Sequence, residues 1–174
     1  LGLLKNKHVP EAYLFGSIAQ RQALLCGLMD TDGYASKDGQ CEFYSSSEII
    51  IQGVSRLLHT LGIKHAIRTK KPPKGTTHGL SYRIKFVAPF PAFRLSAKAT
   101  RQNLNLRETQ KWRYIVDVRE ADSEPVKCIA IDSPDHLYLA GVECVPTHNS
   151  DVLIGLAGTQ HWRSIIFRRE FPRV

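Results

Sequence analysis

Apolar positions along the chain change spacing several times, and each change predicts an element. Ala23, Leu24, Leu25, Leu28 and Met29 recur at helical spacing within residues 18–29. That helix is expected to stop at Asp30-Thr31-Asp32-Gly33, a turn-forming cluster with Gly33 placed as its terminator. A second amphipathic helix starts at Ser47-Glu48-Ile49 and runs through Val54, Leu57, Leu58 and Leu61 to Gly62. Between the helices, residues 34–36 and 41–45 read as a hairpin across Lys37-Asp38-Gly39-Gln40. Residues 10–14 form a helical turn opened by Pro10, and strands are expected at 64–69 and 80–87 around a Lys/Pro/Gly-rich loop. Residues 90–107 hold a helix and a polar connection. Near Lys111 the texture shifts to short strands at 114–119, 126–131, 137–139 and 142–145. It shifts again at Ser150, to a helix over 152–157 and an apolar strand over 164–167. Three segments of different character follow from this, with no internal repeat.

Composition narrows the class. At 174 residues, 43% hydrophobic and 23% charged, the chain suits one medium domain or two small ones. It opens Leu1-Gly2-Leu3-Leu4 with neither a signal-peptide pattern nor an apolar run of the roughly 18–20 residues that span a bilayer. The expectation is a soluble, cytoplasmic fragment whose beginning is missing, with no membrane partner. Four scattered cysteines (Cys26, Cys41, Cys128, Cys144) form no C-x-x-C pair, which disfavours structural zinc and suits a cytosolic redox setting. The net charge of +8 is unevenly placed: no Asp or Glu lies between Glu48 and Glu108, while twelve Lys and Arg do. A solvated face normally mixes signs. An acid-free segment this long attracts a polyanion and draws binding energy from counterion release, the alternative being a basic surface without a partner.

Leu25-Cys26-Gly27-Leu28-Met29-Asp30-Thr31-Asp32-Gly33 resembles the LAGLIDADG motif of homing endonucleases, departing from it at Cys26, Met29 and Thr31. A small residue at Gly27 lets two such helices pack backbone to backbone. Asp32, at the helix end, then stands near its counterpart, where oxygen ligands suit Mg²⁺ beside a scissile phosphate. Alternatively, the two acids merely terminate a helix. The resemblance extends upstream to KHVPEAYL at residues 7–14 and downstream to SSSEIIIQGVSRLLHTLGI at 45–63. It implies an αββαββ half-domain whose curved sheet enters the major groove of double-stranded DNA, with Lys7 or Lys85 as the active-site lysine. One motif is half of a working pair. The chain therefore needs a dimer partner or an upstream half before it can cut.

VKCIAIDSPDHLYLAGVECVPTHNS, residues 126–150, resembles the C-terminal splicing blocks of inteins. Each residue of the tail has a chemical reason. Asn149 can cyclise onto its own carbonyl and break the bond to Ser150. His148 can protonate the departing amine or support the carbonyl oxygen. His136 matches the family's second histidine, which activates that step, and Ser150 is the acceptor hydroxyl. For both histidines the plain alternative is a surface or hydrogen-bonded residue. Cys128 and Thr147 match a minority class that starts splicing from an internal cysteine, where thiolate attack forms a branched thioester that passes to Ser150. A buried strand cysteine is the other possibility for Cys128, and is the expectation for Cys144.

Residues 150–174 resemble the terminase large subunit of tailed phages just after its phosphate-binding loop, with Ser150 as the loop's last hydroxyl; other P-loop ATPases are alternative hosts. The whole reads as α+β: a LAGLIDADG αββαββ half-domain (1–110), the C-terminal strands of a Hint-type all-β splicing domain (111–149), and a C-extein stub (150–174). The partners implied are double-stranded DNA, the missing N-terminal intein half and the flanking exteins. Mg²⁺ serves the endonuclease lobe, and splicing needs no cofactor. Two other readings stay open: a DNA-binding module whose activities have decayed, and the C-terminal partner of a naturally split intein.

Overall fold

The computed structural model describes residues 6–72, 79–105, 112–120, 122, 125, 129 and 131–148. The chain divides into two compact units, Leu1–Val118 and Arg119–Val174.

In the first unit, Pro10 opens a 3₁₀ turn, Glu11–Phe15. Helix α1, Ile18–Asp32, starts at a capping box: Ser17 Oγ accepts from the Gln20 N–H, and Gln20 Oε1 accepts from the Ser17 N–H. The helix stops within the expected turn cluster, running through Asp32 with Gly33 as its C-cap. Lys98 Nζ donates to the carbonyls of Met29 and Asp30 at 3.1 and 2.8 Å, and the Gly33 N–H donates to Met29 O, so the last turn is satisfied. Gly33 itself is extended, at φ −90° and ψ 159°. It terminates the helix through space: a Cβ there would lie 2.5 Å from Met29 O.

Strands β1 (Gly33–Ala35) and β2 (Cys41–Ser45) form the expected antiparallel hairpin, pairing Gly33 with Phe43 and Ala35 with Cys41. Helix α2, Glu48–Thr60, is capped by Ser47. Antiparallel β3 (His65–Lys70) and β4 (Ser81–Phe86) complete a four-stranded sheet ordered β1-β2-β4-β3. Helix and sheet thus alternate as α, β, β, α, β, β, a mixed α+β unit. Its core collects Leu25 and Met29 from α1, Phe43 and Ile84 from the sheet, and Ile51, Val54, Leu57 and Leu58 from α2. Each large side chain buried there contributes about 1.5–3 kcal/mol.

The helix expected within 90–107 shrinks to one turn, α3, Ser96–Ala99. Pro89 and Pro91 supply no N–H and favour extended backbone. Gln102 braces that segment instead, donating to Phe90 O and accepting from the Ala92 N–H, both at 2.8 Å. The strand expected at 114–119 is absent. Residues 112–120 hold no regular structure, and Val116 is 92% exposed. Apolar β-formers make a strand only beside a ladder partner, and this segment pairs with no described strand.

The second unit has one hairpin among its described residues, β5 (Tyr138–Ala140) paired antiparallel with β6 (Val145–Thr147). The strand expected at 142–145 begins only at Val145, because Gly141 (φ 68°) and Cys144 (φ 50°) are left-handed and close a turn. Cys144 is therefore a half-buried turn residue, not a buried strand cysteine. The strand expected at 126–131 falls mostly outside the described residues, and the elements at 152–157 and 164–167 do so entirely. No helix among the described residues is long and apolar enough to cross a membrane.

Candidate functional site

The two acids at the end of α1 have different surroundings. Asp30 Oδ1 accepts from the backbone N–H groups of Arg94 (3.0 Å) and Leu95 (3.2 Å), which ties the helix to the segment entering α3. Asp32 is exposed and makes no hydrogen bond or ion pair with another described residue. It lines a cleft of about 520 Å³ together with Lys7, His8, Tyr44 and the Ser45-Ser46-Ser47 run. Asp32 and Lys7, distant in sequence, thus share one cleft. Lys85 sits elsewhere, on the open face of the sheet. His8 escaped the sequence reading, although it adjoins Lys7. Its Nδ1 lies 2.8 Å from the Asn6 carbonyl, an acceptor only, so Nδ1 carries the proton and Nε2 the lone pair.

An Asp carboxylate with hydroxyl oxygens nearby is a donor set for a hard cation such as Mg²⁺. Asp32 supplies one carboxylate, and no group of three or more His, Cys, Asp or Glu able to hold a metal occurs among the described residues. Gly27 faces outward from α1, and a Cβ there would meet nothing within 4 Å. That helix face has room for another backbone.

Alternation along the strands sends Phe43, Ile84 and Phe86 to the core, and Glu42, Tyr44, Arg83 and Lys85 to the opposite face. The register places Glu42 beside Lys85 and then Ala66, and Tyr44 beside Arg83 and then Arg68. The face is therefore basic around one acid. Lys85 Nζ lies 3.4 Å and Arg83 Nη1 3.7 Å from Glu42, which also accepts a hydrogen bond from the Tyr44 hydroxyl. That bond to Glu42, with partial burial adding to it, raises the Tyr44 phenol above its ordinary range. Arg68, Arg83, Lys85 and Lys64 border an open cleft of about 440 Å³.

Burial pushes the Cys41 thiol up to about 12, and burial likewise raises Cys26 against the pull of Arg94. Neither is a nucleophile near neutral pH.

In the second unit, Ser133 and Asp135 build the turn that carries His136. Ser133 Oγ donates to Asp135 Oδ1 at 2.6 Å, which also accepts from the Leu137 N–H at 3.1 Å. These bonds, the Ser133 hydroxyl first, hold the Asp135 carboxyl below its ordinary value. His136 adopts a left-handed φ of 51°, and its Nδ1 lies 3.0 Å from Ile131 O. Because a carbonyl only accepts, Nδ1 is the donor, which in the neutral tautomer leaves the lone pair on Nε2. Tyr138 pairs with Thr147, so His136 and His148 emerge at the same open end of the hairpin, ring centroids 6.5 Å apart and nearly perpendicular. Thr147 Oγ1 donates to Val145 O at 3.0 Å. The structure thus brings His136, Thr147 and His148 together, while Cys128, Asn149 and Ser150 lie outside the described residues.

Over 181 aligned residues the chain is 34% identical to a replicative DNA helicase DnaB of Mycobacterium intracellulare, an alignment that takes in 99% of this chain and 31% of the helicase. It is 40% identical over 63 residues to the replicative DNA helicase DnaB of Mycobacterium leprae (strain TN), covering 34% of this chain and 10% of that protein. An ATP-dependent DNA helicase Hel308 of Methanocaldococcus jannaschii is 31% identical over 116 residues, 62% of this chain and 10% of the helicase. The chain therefore spans about a third of the length of the first relative and a tenth of the other two. Residues 19–88, which run from the first turn of α1 to just past β4, match a family described as a LAGLIDADG-like domain. That match covers the helix–sheet unit built around α1, the β1–β2 hairpin, α2 and the β3–β4 pair.

Proposed function

We propose that the chain is the C-terminal part of an intein that carries a DNA endonuclease lobe: residues 1–110 the lobe, 111–149 the last splicing strands of a Hint-type domain, and 150–174 the start of the host sequence. The observation that carries this reading is the order of two unlike signatures. A LAGLIDADG-like domain precedes a tail in which His136 and His148 converge at one end of a hairpin, immediately before Asn149-Ser150. An insert with host flanks is also expected to align along nearly all its length with a fraction of a longer polypeptide.

The chemistry follows from the side chains. His136, with the lone pair on Nε2, removes a proton from the Asn149 carboxamide as its nitrogen attacks the Asn149 carbonyl. The peptide bond to Ser150 breaks, a succinimide closes, and His148 delivers a proton to the departing Ser150 amine. Beforehand the Cys128 thiolate attacks the N-terminal splice-junction carbonyl, breaking that peptide bond and releasing its amine. The thioester passes its acyl group to the Ser150 hydroxyl with return of the thiol. Once the bond after Asn149 is cut, the acyl group moves from the Ser150 oxygen to the freed Ser150 amine. Thr147 belongs to the same internal-cysteine pattern. Ser150 then serves the host as the last residue of a phosphate-binding loop, in a terminase-like subunit or another P-loop ATPase.

In the nuclease lobe the basic sheet face takes double-stranded DNA. Asp32 would hold Mg²⁺ with its counterpart from a second acidic helix, and the ion supplies water activation and stabilisation of the leaving oxygen. Lys7, on the same cleft, offers a cation to the phosphate. One observation favours a second reading, a DNA-binding module without cutting: Asp32 is a single carboxylate where a working site needs two.

The deciding experiment uses a complete precursor, with the N-terminal half supplied in cis or as a split partner. Mass spectrometry is expected to find a product beginning at Ser150 and a ligated host, both lost in Asn149→Ala. Cys128→Ala is expected to stop ligation. A precursor that stays intact, while a control intein of known competence rearranges in the same host, overturns the splicing assignment.

A further inference from the structure

Glu42 is the sole acidic residue in the four strands of the sheet. Its position turns it to the basic face, yet it is only 5% exposed, covered by the residues it pairs with. A buried carboxylate is costly unless its oxygens are satisfied. Here Lys85, Arg83 and the Tyr44 hydroxyl do so. A face that served only to attract phosphates would gain affinity by losing this acid, since every cation it neutralises is one fewer for the polyanion.

Glu42 contributes order instead. Arg83 and Lys85 are about one-third exposed at the side chain, and each is ion-paired to Glu42. Arginine and lysine read guanine through its O6 and N7 acceptors in the major groove, and the contact discriminates only when the donors are held in place. We propose that Glu42 is a positioning residue that holds Arg83 and Lys85 as an ordered donor pair for guanine in the major groove, giving up non-specific affinity for sequence discrimination. The inference rests on the reading of this sheet as a DNA-binding face.

The test selects duplexes from a random library with the full chain, then compares wild type, Glu42→Gln and Tyr44→Phe on selected and random duplexes across salt concentrations. Wild type is expected to select guanine at one or two fixed positions. In Glu42→Gln that preference falls about tenfold or more. Random duplex binds more tightly to this variant, and the slope of log affinity against log salt steepens by about one. Tyr44→Phe, which keeps the charge, is expected to lose part of the preference with no change in slope. Thermal melting of each variant separates these effects from unfolding. A guanine preference that survives in Glu42→Gln overturns the proposal, as does a uniform weakening on all duplexes or wild-type selection without guanine. Wild type that binds no duplex overturns the DNA reading itself, and Glu42's role with it.

Discussion

The two units hold their functional side chains by different means. In the first, Asp32, Arg83 and Lys85 stand on regular elements whose other faces form one apolar core, with Phe43, Met29 and Leu58 fully buried. In the second, His136 and His148 stand at the ends of three-residue strands, held by a short ladder and by hydrogen bonds within a few residues of sequence. A two-stranded hairpin is marginal by itself. The first region can fix a surface for a large ligand, whereas the second, among its described residues, presents two imidazoles at the end of a single hairpin.

That contrast can be broken at several points. The largest effect is expected from Asp32→Asn in a protein completed by its second acidic helix: plasmid nicking disappears while the melting curve stays put, because Asp32 holds no described partner. Phe43→Ala should cost about 3–5 kcal/mol in urea unfolding of the first unit, yet release of the Ser150 product from a complete precursor should persist. If release fails as well, the two regions fold as one and the contrast is wrong. His136→Ala should slow that release by about 10²–10⁴-fold, as loss of a general base does, with no change in DNA affinity. Asp30→Ala should lower stability by about 0.5–1.5 kcal/mol through the loss of two exposed hydrogen bonds, whose N–H groups pass to water. The smallest effect is on pH. Because Asp135 has a folded pKa below its ordinary value, it steadies the His136 turn above the usual carboxylate range, and this support is lost as pH falls through the folded pKa. The His136 ring signals in NMR should shift at acid pH in wild type and lose that acid step in Asp135→Asn.

Legibility in sequence followed the same division. α1, α2 and the β1–β2 hairpin were readable because apolar residues at helical spacing, the Ser47-Glu48 start and a Gly-containing turn all agreed. The segment at 114–119 misled, because β-propensity in Tyr114, Ile115 and Val116 reports fitness for a ladder and not the presence of a neighbour. At 142–145 the apolar residues Val142, Cys144 and Val145 concealed a turn set by left-handed backbone at Gly141 and Cys144. In the first site, Asp32 was visible through its motif and Lys7 through resemblance, but nothing in the string showed that they share a cleft. Glu42 and His8 went unnoticed for a related reason. The importance of Glu42 comes from a cross-strand neighbour more than forty positions away, and that of His8 from the company it keeps at the end of α1.

Asp30 and Asp32 lie two residues apart, one anchored to backbone amides and the other standing clear. The outer acid can therefore be exchanged without disturbing the helix end, whereas the inner acid cannot. At this turn, what the surface offers and what the backbone needs are separable by a single side chain.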